Sequence, residues 1–287
     1  MKLVNSYKPL LNSLAHRYFK KLTYSFTKVN SQANFSKCLD LRIFKWSSLI
    51  ILFLLFACKK PEDRKCYKST GENSVRIVYL ADFNKLVLKK KLKYVLVQND
   101  SSYLKIIGGE NMLNLVSYEL NEEGSLEVFN ENKCNFLRDL KESITVEIHF
   151  KDLSEIQFEG SETLDCPDTL NLNNLKFVIL DACGTMNLKI NANSVDGEVA
   201  YGWGDYTILG QVQNAQLGVR SNGYCNIENL RVLGDFKLKN ESVGNMYINA
   251  TNSNLSGHIS GKGNIFYKGL PLTNTVSMLG EGKMIAN

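Results

Sequence analysis

Histidine is scarce in this chain of 287 residues: there are three, and only His149 and His258 lie beyond residue 57. Neither stands in a visible Ser-His-Asp arrangement, so no catalytic residue is assigned. None of the seven cysteines forms a C-x-x-C pair, which argues against zinc or thioredoxin-like chemistry. We therefore expect no metal and no cofactor. A basic excess is missing where it would matter. The formal net charge is +5, but nine of the 34 Lys/Arg and only one of the 29 Asp/Glu fall in residues 1–57. The rest carries 25 basic against 28 acidic residues, a net of −3. It has no electrostatic footprint for DNA or RNA, and no nucleic-acid partner is expected. Capped stretches of 3.6-residue periodicity are also absent; "CNFLRDLKES" (134–143) is at best one short turn.

No apolar run is long enough to cross a bilayer. The longest candidate, "WSSLIILFLLFA" (46–57), would span only about 18 Å as a helix, against a hydrocarbon core of about 30 Å. Arg42 and Lys45 precede it, and Ala57 and Cys58 close it. A basic segment, a short apolar segment and a small residue, in that order, form a secretory signal. "LFAC" (55–58) looks like a bacterial lipobox. That likeness implies lipidation of Cys58, cleavage before it, and acyl chains worth about 0.8 kcal/mol per buried CH₂ as a membrane anchor. Residues 1–57 are then an extension plus signal, and 58–73, with "KKPEDRK", are a lipidated tether. No Asp follows Cys58, which by analogy with sorting rules favours the outer membrane, on its periplasmic or its cell-surface face. The forty residues before the signal are long for such a leader. The start is expected near Leu41 or Ile43, at a non-Met codon; a genuinely long leader is the alternative.

Once Cys38 and Cys58 are set aside, Cys66, Cys134, Cys166, Cys183 and Cys225 remain. An exported protein permits disulfides, and an odd number leaves at least one thiol free. Cys66 and Cys134 both lie in polar, loop-like contexts and are the candidate pair. Cys225 falls in an apolar column and reads as a buried thiol.

Between residues 74 and 152 nearly every segment reads as strand, from "SVRIVYL" (74–80) to "SITVEIHF" (143–150). Strict alternation in the last of these places Ile144, Val146, Ile148 and Phe150 on one face and His149 on the other, towards solvent. From residue 153 a unit recurs on Gly160, Gly184, Gly204, Gly223, Gly244, Gly263 and Gly282, with spacings of 24, 20, 19, 21, 19 and 19. Two residues after the glycine stand Met186, Tyr206, Cys225, Met246 and Ile265. Four after it stand Leu188, Ile208, Ile227, Ile248 and Tyr267. A period-2 pattern repeated every twenty residues predicts one coil per repeat, with apolar columns stacked into a shared core. Glycine at the corners meets a need for positive φ or close approach, and Asn in "NLNN", "NANS" and "NATNSN" suits the bends. The expected fold is all-β, a strand-rich lead-in (74–152) continuing into a β-solenoid (153–287).

The segments "DFNKLVL" (82–88), "LSEIQFEGSETL" (153–164) and "SGKGNIFYKGLP" (260–271), with "LGEGKMI" (279–285), resemble the putative auto-transporter adhesin, head GIN domain family of envelope lipoproteins. The resemblance spans residues 66–287. It implies a right-handed parallel β-helix-like stack and a role in surface adhesion or envelope structure, and it supports the Cys66–Cys134 pairing by analogy. It brings no catalytic residue.

Enzymes on parallel β-helices need converging carboxylates or a basic residue near a cation. Asp165, Asp168, Asp181, Asp196, Asp205 and Asp235 fall at different repeat positions, and Arg220 and Arg231 on different faces. Tyr201, Trp203 and Tyr224 cluster at consecutive corners, either packed locally or open as a binding surface for sugar rings or a protein. The expected function is a non-catalytic, adhesin-like or structural scaffold. Its partners would be the membrane, through the lipid, and a surface glycan or envelope protein. A glycan-binding module in carbohydrate uptake and a β-helical carbohydrate-active enzyme are the alternatives. A late translation start predicts that a non-cleavable Cys58→Ala precursor weighs in without residues 1–40. An intact mass that includes them would establish the long leader.

Overall fold

The computed structural model describes residues 70–131 and 143–287. Cys58, Cys66 and Cys134 lie outside the described residues. In chain order the first strands are β1 (Asn73–Tyr79), β2 (Lys85–Lys90), β3 (Lys93–Gln98) and β4 (Tyr103–Gly109). One helical turn, α1 (Glu110–Leu113), leads to β5 (Val116–Leu120), β6 (Ser125–Asn130) and β7 (Thr145–Phe150). Then come β8 (Glu155–Gly160), β9 (Leu164–Asp165), β10 (Leu170–Ile179), β11 (Thr185–Val199) and β12 (Asp205–Ser221). Shorter strands complete the chain: β13 (Tyr224–Ile227), β14 (Leu230–Val232), β15 (Asp235–Ser242) and β16 (Met246–Asn249). The last four are β17 (Asn254–Ile259), β18 (Ile265–Lys268), β19 (Thr273–Met278) and β20 (Met284–Ala286).

From β8 onward the chain winds a β-solenoid of about seven turns with coils about 20 residues apart. Two long parallel ladders carry it. The first runs β6–β2–β8–β10–β11–β12–β15–β17–β19. The second runs β7–β3–β9–β11–β12–β13–β16–β18–β20. Strands β10, β11 and β12 are long enough to bend within their length and serve more than one side of the coil. Their bends add a third, short ladder, in which residues 170–172, 190–192, 210–212 and 230–232 pair in turn.

The ladders do not stop at residue 152. Strands β2 and β3 lie between β6/β7 and β8/β9, so the strands of 74–152 contribute two further parallel turns, out of chain order. Beyond them the pairing turns antiparallel: β5 covers β6, β4 covers β7, and β1 covers β4. These strands satisfy backbone groups that the outermost turn would otherwise leave open.

The core consists of columns in strict register. Val146, Tyr94, Leu164, Met186, Tyr206, Cys225, Met246 and Ile265 stack in the second ladder, each with no exposed surface. Val128, Leu88, Phe158, Ile179, Val199, Val219, Asn240 and Ile259 do the same in the first. Fully burying one large apolar side chain contributes about 1.5–3 kcal/mol, and no single coil contains enough of them to fold alone.

The corner glycines are there for proximity. At Gly184, Gly244, Gly263 and Gly282 an added Cβ would strike the carbonyl oxygen of the preceding turn. None of these four has a positive φ. The bend asparagines likewise bond across turns: Asn193 donates to Asn173 at 2.6 Å, and Ser194 donates to Asn174 at 2.6 Å. Only Asn252 among them is left-handed, at φ 58°.

Asn240 is the one polar member of its column. Its amide donates to the carbonyls of Gly263 (3.0 Å) and Gly244 (3.3 Å), and its oxygen accepts from the Ser242 amide (3.1 Å). Ser242 donates in turn to the Gly223 carbonyl at 2.6 Å. Together they tie the corners of three turns. Leucine at position 240 fits the column but orphans buried carbonyls, each worth about 1–3 kcal/mol. Asn240→Leu is expected to cost about 2 kcal/mol or more, read as a lower urea midpoint at unchanged slope.

His149 departs from expectation. It is buried, not turned to solvent, because β4 lies antiparallel on β7 and sets Tyr103 over the ring at 3.9 Å. Its Nδ1 is 3.4 Å from the Asn99 amide, and Glu147, itself held by Lys105, stands 3.5 Å from Nε2. Burial lowers the imidazole pKa, an effect that Glu147 only partly opposes. The folded state thus prefers neutral His149. Its contribution is complete above the unfolded value near 6.5 and is lost as pH falls towards the lower folded value. His149→Phe, which keeps the stack, should flatten the decline in melting temperature between about pH 7 and pH 5. Parallel declines in the two proteins would remove His149 as the cause.

Candidate functional site

Two surface features of the solenoid have the exposure a binding site needs. The first is the corner that joins β11 to β12. Residues 200–204 must turn the chain from the first ladder to the second in few residues. Gly202, at φ 95°, permits this and bridges to Ala182 of the turn before. The Trp203 amide donates to the Ala182 carbonyl at 3.0 Å, which fixes the backbone. The side chains of Tyr201 and Trp203 are left outside, 59% and 69% exposed. Tyr224 begins β13 on the next turn, in register with Asp205, and is 46% exposed. Partial burial, with Asp205 beside it, raises the pKa of its phenol. The three aromatics do not stack on one another; each presents its own ring. Of the two arrangements open to them, local packing and exposure, the structure adopts exposure.

The second feature lies where the long strands bend. Where β10, β11 and β12 bend, the burial pattern changes phase: Ile190 and Val195 both face inward, five residues apart. The bends leave an open groove of about 550 Å³ along the coil stack. Asn191, Asn193, Gln211 and Gln213 line it over a partly apolar floor that includes Leu172, with Leu233 at one end. Asn171, Asn191 and Gln211 form one amide column in register, continued by Arg231. Asn193 is held by Asn173. The side chains of Gln211 and Gln213 have no partner among the described residues. The Asn-rich bends were the sequence signal, but without knowing where the strands bend they read only as turn chemistry.

The carboxylates do not share one place. Asp165 accepts from Asn187 (2.7 Å) and Thr163 (2.6 Å), Asp196 from Gln216 (3.2 Å), and Asp235 from Asn254 (3.2 Å). Arg220 lies in the first ladder between Glu198 and Glu241, each at 3.3 Å, and His258 meets Glu241 at 3.0 Å. These half-exposed pairs are worth at most about 1 kcal/mol each. Arg231 lies in the third ladder. Among the described residues no three His, Cys, Asp or Glu side chains are placed to hold a metal. Cys166 and Cys225 are buried free thiols, and Cys183 is exposed, one residue beyond the Ala182–Gly202 bridge. Burial pushes the Cys225 thiol up to about 12, so it is inert as a nucleophile.

Comparison with known proteins adds the following. A family model described as "Putative auto-transporter adhesin, head GIN domain" matches residues 82–271. A crystal structure of a putative adhesin from Bacteroides fragilis is similar at TM-score 0.68 and 22% identity, covering 75% of this chain and 97% of that one. A putative adhesin from Parabacteroides distasonis has TM-score 0.55 and 17% identity, covering 76% and 98%. A putative lipid binding protein from the same species has TM-score 0.55 and 18% identity, again covering 76% and 98%. At these identities the likeness is one of fold. No curated protein matches the sequence.

Proposed function

Because the chain belongs to the putative auto-transporter adhesin, head GIN domain family, we propose that it is a lipid-anchored envelope protein whose solenoid acts as a non-catalytic, adhesin-like binding scaffold. The observation that carries this reading is the rigid corner holding Tyr201 and Trp203 in solvent. Large aromatic rings fixed on a paired backbone lose little conformational freedom on binding, and such residues dominate binding energetics. Tyr224 extends the surface to the next turn. Cys58 carries the lipid, and the absence of Asp after it favours the outer membrane. Partners are the membrane, through the lipid, and a surface glycan or envelope protein at the corner.

Cells producing the full chain, Cys58→Ala, or Tyr201→Ala with Trp203→Ala test both halves. Labelled palmitate should enter the wild type and not Cys58→Ala. Attachment to glycan-coated or protein-coated surfaces should fall severalfold in both variants. Equal attachment by cells with and without the protein would overturn the adhesin reading. Unchanged attachment by the aromatic variant would remove that corner from the site.

A further inference from the structure

The amide groove has a chemistry of its own. Its volume, about 550 Å³, lies within the range of small-molecule sites, roughly 300–1,000 Å³. Every polar side chain lining it is a neutral amide, and no charged side chain lines it. An amide donates through nitrogen and accepts through oxygen, so it matches a hydroxyl group in either sense. A phosphate, sulfate or uronate would instead call for a cation, and the nearest in register, Arg231, stands beyond the lining.

The partnering of the amides divides the groove into a fixed part and a free part. Asn193 is locked to Asn173, and the Asn191 side chain donates to the Asn171 side-chain oxygen at 3.4 Å. Gln211 and Gln213, one turn further along, are free to bond something else. The rows recur at the coil pitch of about 4.8 Å, so a ligand laid along the stack meets Asn191 and Asn193 on one turn and Gln211 and Gln213 on the next. An extended peptide would need an open strand edge for its backbone. None is offered here, because β11 is paired on both sides, by β10 and by β12.

We propose that the groove over β10, β11 and β12 is a binding site for a neutral oligosaccharide, with Gln211 and Gln213 as its hydrogen-bonding residues. Leu233, which is exposed at one end of the groove, supplies apolar surface for the C–H face of a sugar ring. The inference rests on the binding-scaffold reading but not on the aromatic corner, which lies on a different side of the coil.

Calorimetry on the full chain with short oligosaccharides of β-linked glucose, mannose and galactose tests it, with an oligogalacturonate and an uncharged extended peptide as comparators. At least one neutral sugar should bind. Gln211→Leu with Gln213→Leu should weaken it about tenfold or more, as expected for two lost hydrogen bonds. Gln211→Glu with Gln213→Glu, which keeps size but loses the donors, should do the same at unchanged melting temperature. If the aromatic variant abolishes sugar binding and the glutamine variants do not, the groove inference falls while the scaffold reading stands. Glutamine-dependent sugar binding by a chain that supports no cell attachment would sink the adhesin reading and keep the groove. No neutral binding, or tighter binding of the uronate or the peptide, overturns the inference.

Discussion

Parallel pairing between successive turns is the constraint on which everything else in this molecule depends. Once each backbone bonds to the turns on either side of it, the distance between equivalent residues is fixed at about 4.8 Å. Side chains at one position of the coil must then fit against their counterparts along the whole stack. Inside, this selects apolar residues of compatible bulk, and where a large ring intrudes a neighbour must shrink. Gly197 stands in register with Phe177, whose ring occupies the space a Cβ would take. At the corners, carbonyls of one turn press on the next, and only glycine fits. Outside, the same spacing lines up amides, carboxylates and their partners into rows.

The polar exceptions inside follow from the same geometry. Asn240 and Ser242 occupy buried positions because corner carbonyls of neighbouring turns converge there and need donors. Their placement resembles that of a fastener, in that one side chain serves several turns at once. Tyr94 is a second case: its hydroxyl shares its one proton between the carbonyls of Lys89 (2.8 Å) and Val128 (3.0 Å), joining two turns from within the core. Such groups hold register, since a slip of one residue would leave every one of them unpaired.

What was legible in the sequence is what repeats locally. The glycine spacing located the corners, and the residues two and four places after the glycines from Gly184 to Gly263 are those that stack. The long-range arrangement was not legible. His149 obeys its strand's alternation, yet it is covered by Tyr103, whose approach depends on an antiparallel pairing across some forty-five residues. The position of β2 and β3 within the stack leaves no trace in a strand pattern, because any strand of that composition fits any turn. The aromatic corner could be named, but its exposure depends on a backbone turn. The amide groove needs the bends in three successive strands to be known before its side chains can be seen to share a wall.

That out-of-order insertion also governs how the molecule can be assembled. Strand β2 is held by β6 on one side and β8 on the other, and the residue pair Asn84 and Ser154 that joins them is 70 positions apart. Loops of that length close slowly and yield little until both neighbours arrive. The central turns, where each strand meets its partner about twenty residues later, face a much smaller entropic barrier. Loop-closure entropy therefore favours nucleation in the middle of the stack. A chain released gradually, amino terminus first, leaves one edge of β2 without its partner until β8 has emerged.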